Sequence, residues 1–162
     1  MSETRENSHP LVRVSDRPAE QSGSHPLNAN SEMRGVSLSD AAGMERVGLN
    51  FIRVPPGKDA NIHHAHHCEE EFYYILSGRG VVEIGDDEHE IGPGDFVGFP
   101  TPAIGHMLKN TSDDEDLVYL AGGERKRIEF AVFPKIGKHL IRTGREGFMV
   151  DSDKLEPAWK RY

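Results

Sequence analysis

At 162 residues, 36% of them hydrophobic, the chain suits one globular domain with some length left for tails. The 27 acidic against 19 basic side chains give a formal net charge of −8, which opposes binding to nucleic-acid phosphates or to anionic lipid. No run approaches the roughly 20 apolar residues that span a bilayer, the opening MSETRENSHP lacks the apolar centre of a signal peptide, and a single cysteine excludes an intrachain disulfide. The simplest expectation is a cytoplasmic protein that handles a small molecule, with neither nucleic acid nor membrane as partner.

Residues 1–30 are polar and broken by Pro10, Pro18, Gly23 and Pro26, with only LVRV at 11–14 reading as a short strand. We expect an arm there. From residue 45 the pattern changes. ERVGLNFIRVPPG carries Val47, Leu49 and Phe51 at alternate positions until Pro55, Pro56 and Gly57 stop it. EFYYIL (71–76) and GVVEI (80–84) read as strands joined by Ser77, Gly78 and Arg79. EIGDDEHEI (83–91) reads as a hairpin around Gly85, Asp86 and Asp87. FVGF, HMLKN, LVYLAGG, IEFAVF and KHLIR follow as further short strands between turns. No stretch keeps a helical period for long, so the class is all-β, a sandwich or barrel. The last segment, REGFMVDSDKLEPAWKRY, looks irregular, with room for one short helix and with Trp159 covering an apolar edge. The division expected is an arm over 1–30, a barrel over 31–133 and an extension over 134–162 packed on it.

The stretch NIHHAHHCEEEFYYIL gathers four histidines, the cysteine and three glutamates. Side chains alternate faces along a strand, so His64 and His66 share one face and His63 and His67 the other. Two imidazoles on the inner face of a small barrel make half a metal site. Glu71 has the wrong parity for an unbroken strand. A turn over 67–70 would reset it and turn Glu71, Tyr73 and Ile75 inward, with Phe72, Tyr74 and Leu76 covering the other face. Both faces being apolar, burial on both sides is expected. His106, opening HMLKN, is the histidine placed to complete the set. His63 and His67 are expected in a solvated patch, with Cys68 there as an ordinary, partly buried thiol. Arg53 and Lys109 are candidate contacts for an anionic substrate near the barrel mouth, and ERKR (124–127) is a solvated turn.

In order and spacing these residues resemble the cupin family. Gly57, His64, His66, Glu71 and Gly78 follow its first motif, G-x5-H-x-H-x4-E-x6-G, with six residues in place of five before His64. Gly94, Pro100, His106 and Asn110 follow its second, G-x5-P-x-G-x2-H-x3-N, with Pro102 at the glycine position and one residue inserted. The resemblance covers roughly residues 45 to 122 and implies a double-stranded β-helix barrel. It also implies that His64, His66, Glu71 and His106 hold one divalent ion of iron, manganese, nickel or zinc.

Three functions stay open: a metal-dependent isomerase of a sugar or sugar phosphate, a metal-dependent dioxygenase, and a non-enzymatic binding barrel. The isomerase is placed first, with Tyr73 as the catalytic group that moves the proton. An edge strand in the arm and strands apolar on both faces suggest a homodimer.

Overall fold

The computed structural model describes residues 9–144, 146–156 and 158. Among the described residues, alternation along the chain produces thirteen strands. They are β1 (Gln21–Gly23), β2 (Met33–Ser37), β3 (Val47–Val54), β4 (Ala65–His66), β5 (Glu71–Ser77), β6 (Gly80–Ile84) and β7 (Asp87–Ile91). The rest are β8 (Phe96–Phe99), β9 (His106–Asn110), β10 (Leu117–Glu124), β11 (Ile128–Phe133), β12 (Lys138–Thr143) and β13 (Glu146–Asp151). One short helix, α1 (Leu38–Ala41), begins where the Ser37 hydroxyl accepts the Asp40 N–H at 3.2 Å.

The strands form three antiparallel sheets, ordered β1-β2-β3-β10-β5-β8, β7-β6-β9 and β13-β12-β11-β4. Together they make the expected β-barrel. β10 is central to the largest sheet: Leu117 faces Val54 and Glu124 faces Val47 across one ladder, while Gly123 faces Glu71 across the other. A bridge between His64 and His106 joins the segment before β4 to the start of β9. The core lies between the sheets and includes Val54, Tyr73, Ile75, Val82, Phe99, Leu108, Leu117 and Tyr119.

Three expectations need correction. LVRV forms no strand; Val14–Asp16 is a turn of 3-10 helix. β5 is buried on one face only. Tyr73 and Ile75 point into the core, but Tyr74 and Leu76 are exposed, as is Phe96 on β8 at 64%. Phe72 and Phe96 stack on this outer face at 5.6 Å. The segment after 144 is not irregular: β13 pairs along its whole length with β12, with Gly144 at φ +63° turning the chain between them. A single 3-10 turn, Ser152–Lys154, follows. Trp159 lies outside the described residues.

Gly78, in the turn from β5 to β6, takes φ +78°, and a Cβ there would collide with the carbonyl oxygen of Asp116. Gly78→Ala is therefore expected to lower the unfolding free energy by about 2–4 kcal/mol, from left-handed strain plus the clash. Urea unfolding reads it directly. An unshifted midpoint would mean that the chain at Asp116 yields freely.

Candidate metal centre

The turn expected over 67–70 is present, with bends at His67 and Cys68. It is held by the Glu129 carboxylate on β11, whose Oε1 accepts the His67 N–H at 3.0 Å and the Cys68 N–H at 3.4 Å. This turn resets the parity, and Glu71 at the start of β5 faces inward toward the histidines. Ligand atoms of His64, His66, Glu71 and His106 lie within 4.8 Å of one another. Glu71 Oε2 is at the middle, 3.0 Å from His106 Nε2, 3.5 Å from His66 Nε2 and 3.9 Å from His64 Nε2.

Two of the imidazoles are oriented by the main chain. His64 Nδ1 donates to the Ile62 carbonyl at 2.7 Å, and His106 Nδ1 donates to the Ile104 carbonyl at 3.0 Å. Each Nδ1 thereby carries a proton, and Nε2 is the nitrogen turned toward the cluster. The His106 ring also stacks on Phe99, with centroids 3.6 Å apart and planes 11° from parallel. His66 sits between two carboxylates, with Nε2 toward Glu71 and Nδ1 3.6 Å from Glu129 Oε1.

The electrostatics suit a cation. Burial, with neighbouring His106, lowers the His64 pKa to about 4, so its ring is neutral at neutral pH. Burial alone would raise the Glu71 pKa, but hydrogen bonds from His106 and His66 outweigh it and hold the carboxyl well below the usual carboxylate range. Burial works against charge on His66, yet the Glu71 carboxylate overcomes it and raises the pKa. Imidazole nitrogens around an ionised carboxylate are the donor set that first-row divalent ions take.

Tyr73 is 1% exposed, and its hydroxyl donates to Glu71 Oε2 at 3.3 Å. Burial and the Glu71 charge push its pKa well above 10. Such a phenol keeps its proton at neutral pH and is placed to donate it to Glu71.

Other expected contacts fall elsewhere. Arg53 is at the far end of β3 from Gly48 and Asn50, bound to Glu20 at 3.1 Å. Lys109 has the opposite parity to His106 and the buried Leu108, and is paired outside the core with Glu83 and Glu88. Neither reaches the cluster. His63 is not a surface residue: it is buried, with Nε2 3.1 Å from the Gly85 carbonyl.

His66 and Glu71 line a cavity of about 170 Å³, with Asn50, Glu69, Gly122 and Arg125. A wider hollow of about 1000 Å³ shares Glu69 and Arg125 with it and adds Arg142, Ser37 and Asp40. Arg125 binds Asp40 and the hydroxyls of Ser37 and Ser39, and Arg142 binds Glu69. Sequence reasoning took Arg125 for part of a solvated turn and did not single out Glu69 for the cavity, Arg142 or Glu129. For Glu129 a signal existed: it is an acid on the same face of β11 as Ala131 and Phe133.

The cupin domain model matches residues 50–122. A candidate sugar phosphate isomerase from Acidithiobacillus ferrooxidans is 34% identical, with a TM-score of 0.87 over 93% of this chain and 97% of that one. A sugar phosphate isomerase from Silicibacter pomeroyi is 25% identical, with a TM-score of 0.81 over 90% and 94% of the two chains. An oxalate-binding protein from Thermotoga maritima is 37% identical over 70 residues, which are 43% of this chain and 55% of that protein. The chain spans 44% to 63% of the length of the curated relatives it matches. With a matched cupin domain that contains all four clustered side chains, and a relative alike along nearly its whole length, this chain belongs to the cupin superfamily.

Proposed function

We propose that this cupin is a metal-dependent isomerase of a sugar or sugar phosphate. The observation that carries the reading is the convergence of three imidazoles and Glu71 beside a cavity that shares Arg125 with a wider hollow. Likeness to two proteins named for sugar phosphate isomerisation supports it.

In this reading His64, His66, Glu71 and His106 hold one divalent first-row ion, whose chemistry is Lewis-acid polarisation of a carbonyl or its neighbouring hydroxyl. Tyr73 donates to Glu71 and fixes the direction of its carboxylate. Glu69 lines both hollows, and one of its oxygens lies within 4.8 Å of a His66 ring nitrogen. Its Oε1 is held by Arg142 and by the Lys126 N–H, and Oε2 takes the proton from one substrate carbon and returns it to the next. Arg125 and Arg142 offer cations to a phosphate in the wider hollow, in competition with Asp40 and Glu69. The same reading pairs two copies through the exposed outer face of β5 and β8.

The test is proton exchange in deuterated water. Metal-loaded protein mixed with aldose and ketose phosphates is expected to place deuterium on the carbon beside the carbonyl. His106→Ala should abolish the exchange, and Glu69→Gln should slow it by about 100-fold or more. A free sugar exchanged as fast as its phosphate would remove Arg125 and Arg142 from substrate binding. No exchange, with metal-dependent consumption of oxygen or cleavage of oxalate instead, would overturn the isomerase.

A further inference from the structure

We propose that Glu129 is a positioning residue for the metal centre: its buried carboxylate holds the Nδ1 proton of His66 and so directs the Nε2 lone pair at the ion. The inference rests on the metal-centre reading above.

The three imidazoles face one orientation problem and solve it in two ways. His64 and His106 each use the carbonyl two residues earlier. His66 has no such carbonyl free, because the His64 carbonyl accepts the His106 N–H at 2.8 Å. Its Nδ1 is buried and lacks a hydrogen-bond partner among the described residues. The nearby candidate acceptor is the Glu129 carboxylate on β11, whose Oε1 is 3.6 Å away and which reaches the site because Ala131 and His66 are register partners.

Glu129 itself presents the complementary problem. It is 2% exposed, and its Oε2 has no hydrogen-bond partner among the described residues. The two N–H groups at Oε1 hold the turn without balancing a buried charge, and an amide would hold that turn equally well. A buried charge costs several kcal/mol unless something compensates it. An imidazole N–H beside a bound cation supplies that compensation, and a carboxylate is a stronger acceptor than the carbonyls that serve the other two rings. At 3.6 Å the pair is just beyond hydrogen-bond length. It closes when Nε2 is engaged, as site contacts do on ligation.

The experiment measures Zn(II) affinity by chelator competition in the full chain, wild type against Glu129→Gln. Glutamine keeps an oxygen for the His67 and Cys68 N–H groups and removes the charge. Affinity is expected to fall about 10–100-fold, while the urea midpoint of the metal-free variant stays near the wild-type value. A purely structural role predicts the reverse: a lower midpoint and unchanged affinity. No zinc uptake by the wild type would sink the metal reading itself; full uptake by Glu129→Gln would sink only the role of Glu129. Loss of a second zinc equivalent in Glu129→Gln would assign His66, Glu69 and Glu129 to their own ion and overturn the proposal. A readout independent of the variant's folding is the nitrogen NMR spectrum of the zinc-loaded wild type. His66 should carry its proton on Nδ1 and the metal shift on Nε2. Metal on Nδ1 would overturn the inference.

Discussion

His106→Ala is expected to weaken metal binding by at least about 100-fold, more than the loss of an outer partner of a ligand, while His63→Ala leaves it unchanged. The two residues are both buried and both histidine, yet they face different things. His106 is 0% exposed, and its Nε2 is 3.0 Å from Glu71 Oε2, nearer than either of the other imidazoles. Alanine removes that donor and leaves a hole against Phe99, so the remaining three groups lose both a ligand and the wall that packs them. His63 turns the other way. Its Nε2 meets the Gly85 carbonyl in the turn between β6 and β7, and its ring lies flush against Gly105, where even a Cβ would clash. Alanine at 63 should therefore cost about 2–4 kcal/mol of stability through the lost hydrogen bond and the cavity, with metal content intact. Elemental analysis of untagged protein and urea unfolding separate the two effects. Equal metal loss from both variants would mean that the wrong histidine was assigned to the cluster.

Three of the four clustered side chains were legible because strand alternation is a local rule, and His106 came from its place at the start of HMLKN and from the second motif. His64 and His66 share a face whatever surrounds them, and the polar run over 67–70 made a turn before Glu71 a natural reading. What could not be read was register over long separations. Arg53 follows Phe51 by alternation and looked placed for the mouth. Pairing of β3 with β10, however, sets Val47 and not Arg53 beside the end of β10 that meets Glu71. Arg125, just after the end of β10, and Glu129 on β11 come to the site by the same kind of pairing, from far along the chain. β13 was missed because its outer residues, Phe148 and Met149, are exposed and give no clean inner face. Tyr74 and Leu76 misled for the converse reason: apolar side chains on both faces of β5 looked like two-sided burial, and the single chain covers only one face.

The metal-free protein is expected to lose stability on acidification between pH 7 and 4.5, and His64→Gln to remove much of that loss. His64 has a pKa of 6.5 when free and about 4 in the fold. As the pH falls below 6.5 the unfolded chain takes up this proton and the folded one does not, so stability falls until the folded group titrates too. Each pKa unit is worth 1.36 kcal/mol, so the His64 contribution is about 3 kcal/mol by pH 4. Glu71 acts in the same direction at lower pH. Its folded pKa lies below 4.5, so its stabilising charge is fully present above that value and is lost as the pH falls further. His66 acts in the opposite direction. Its pKa is raised above 6.5, so its contribution is complete below that pH and disappears as the pH rises through the folded value. Glutamine at 64 cannot titrate, and its amide can still donate to the Ile62 carbonyl. The difference in urea midpoint between pH 7 and 4.5, measured with chelator present, should therefore shrink in the variant by about 2 kcal/mol or more once converted. A variant as acid-sensitive as the wild type would show that His64 is not held neutral in the fold. Its readiness to donate a lone pair at neutral pH would then need another explanation.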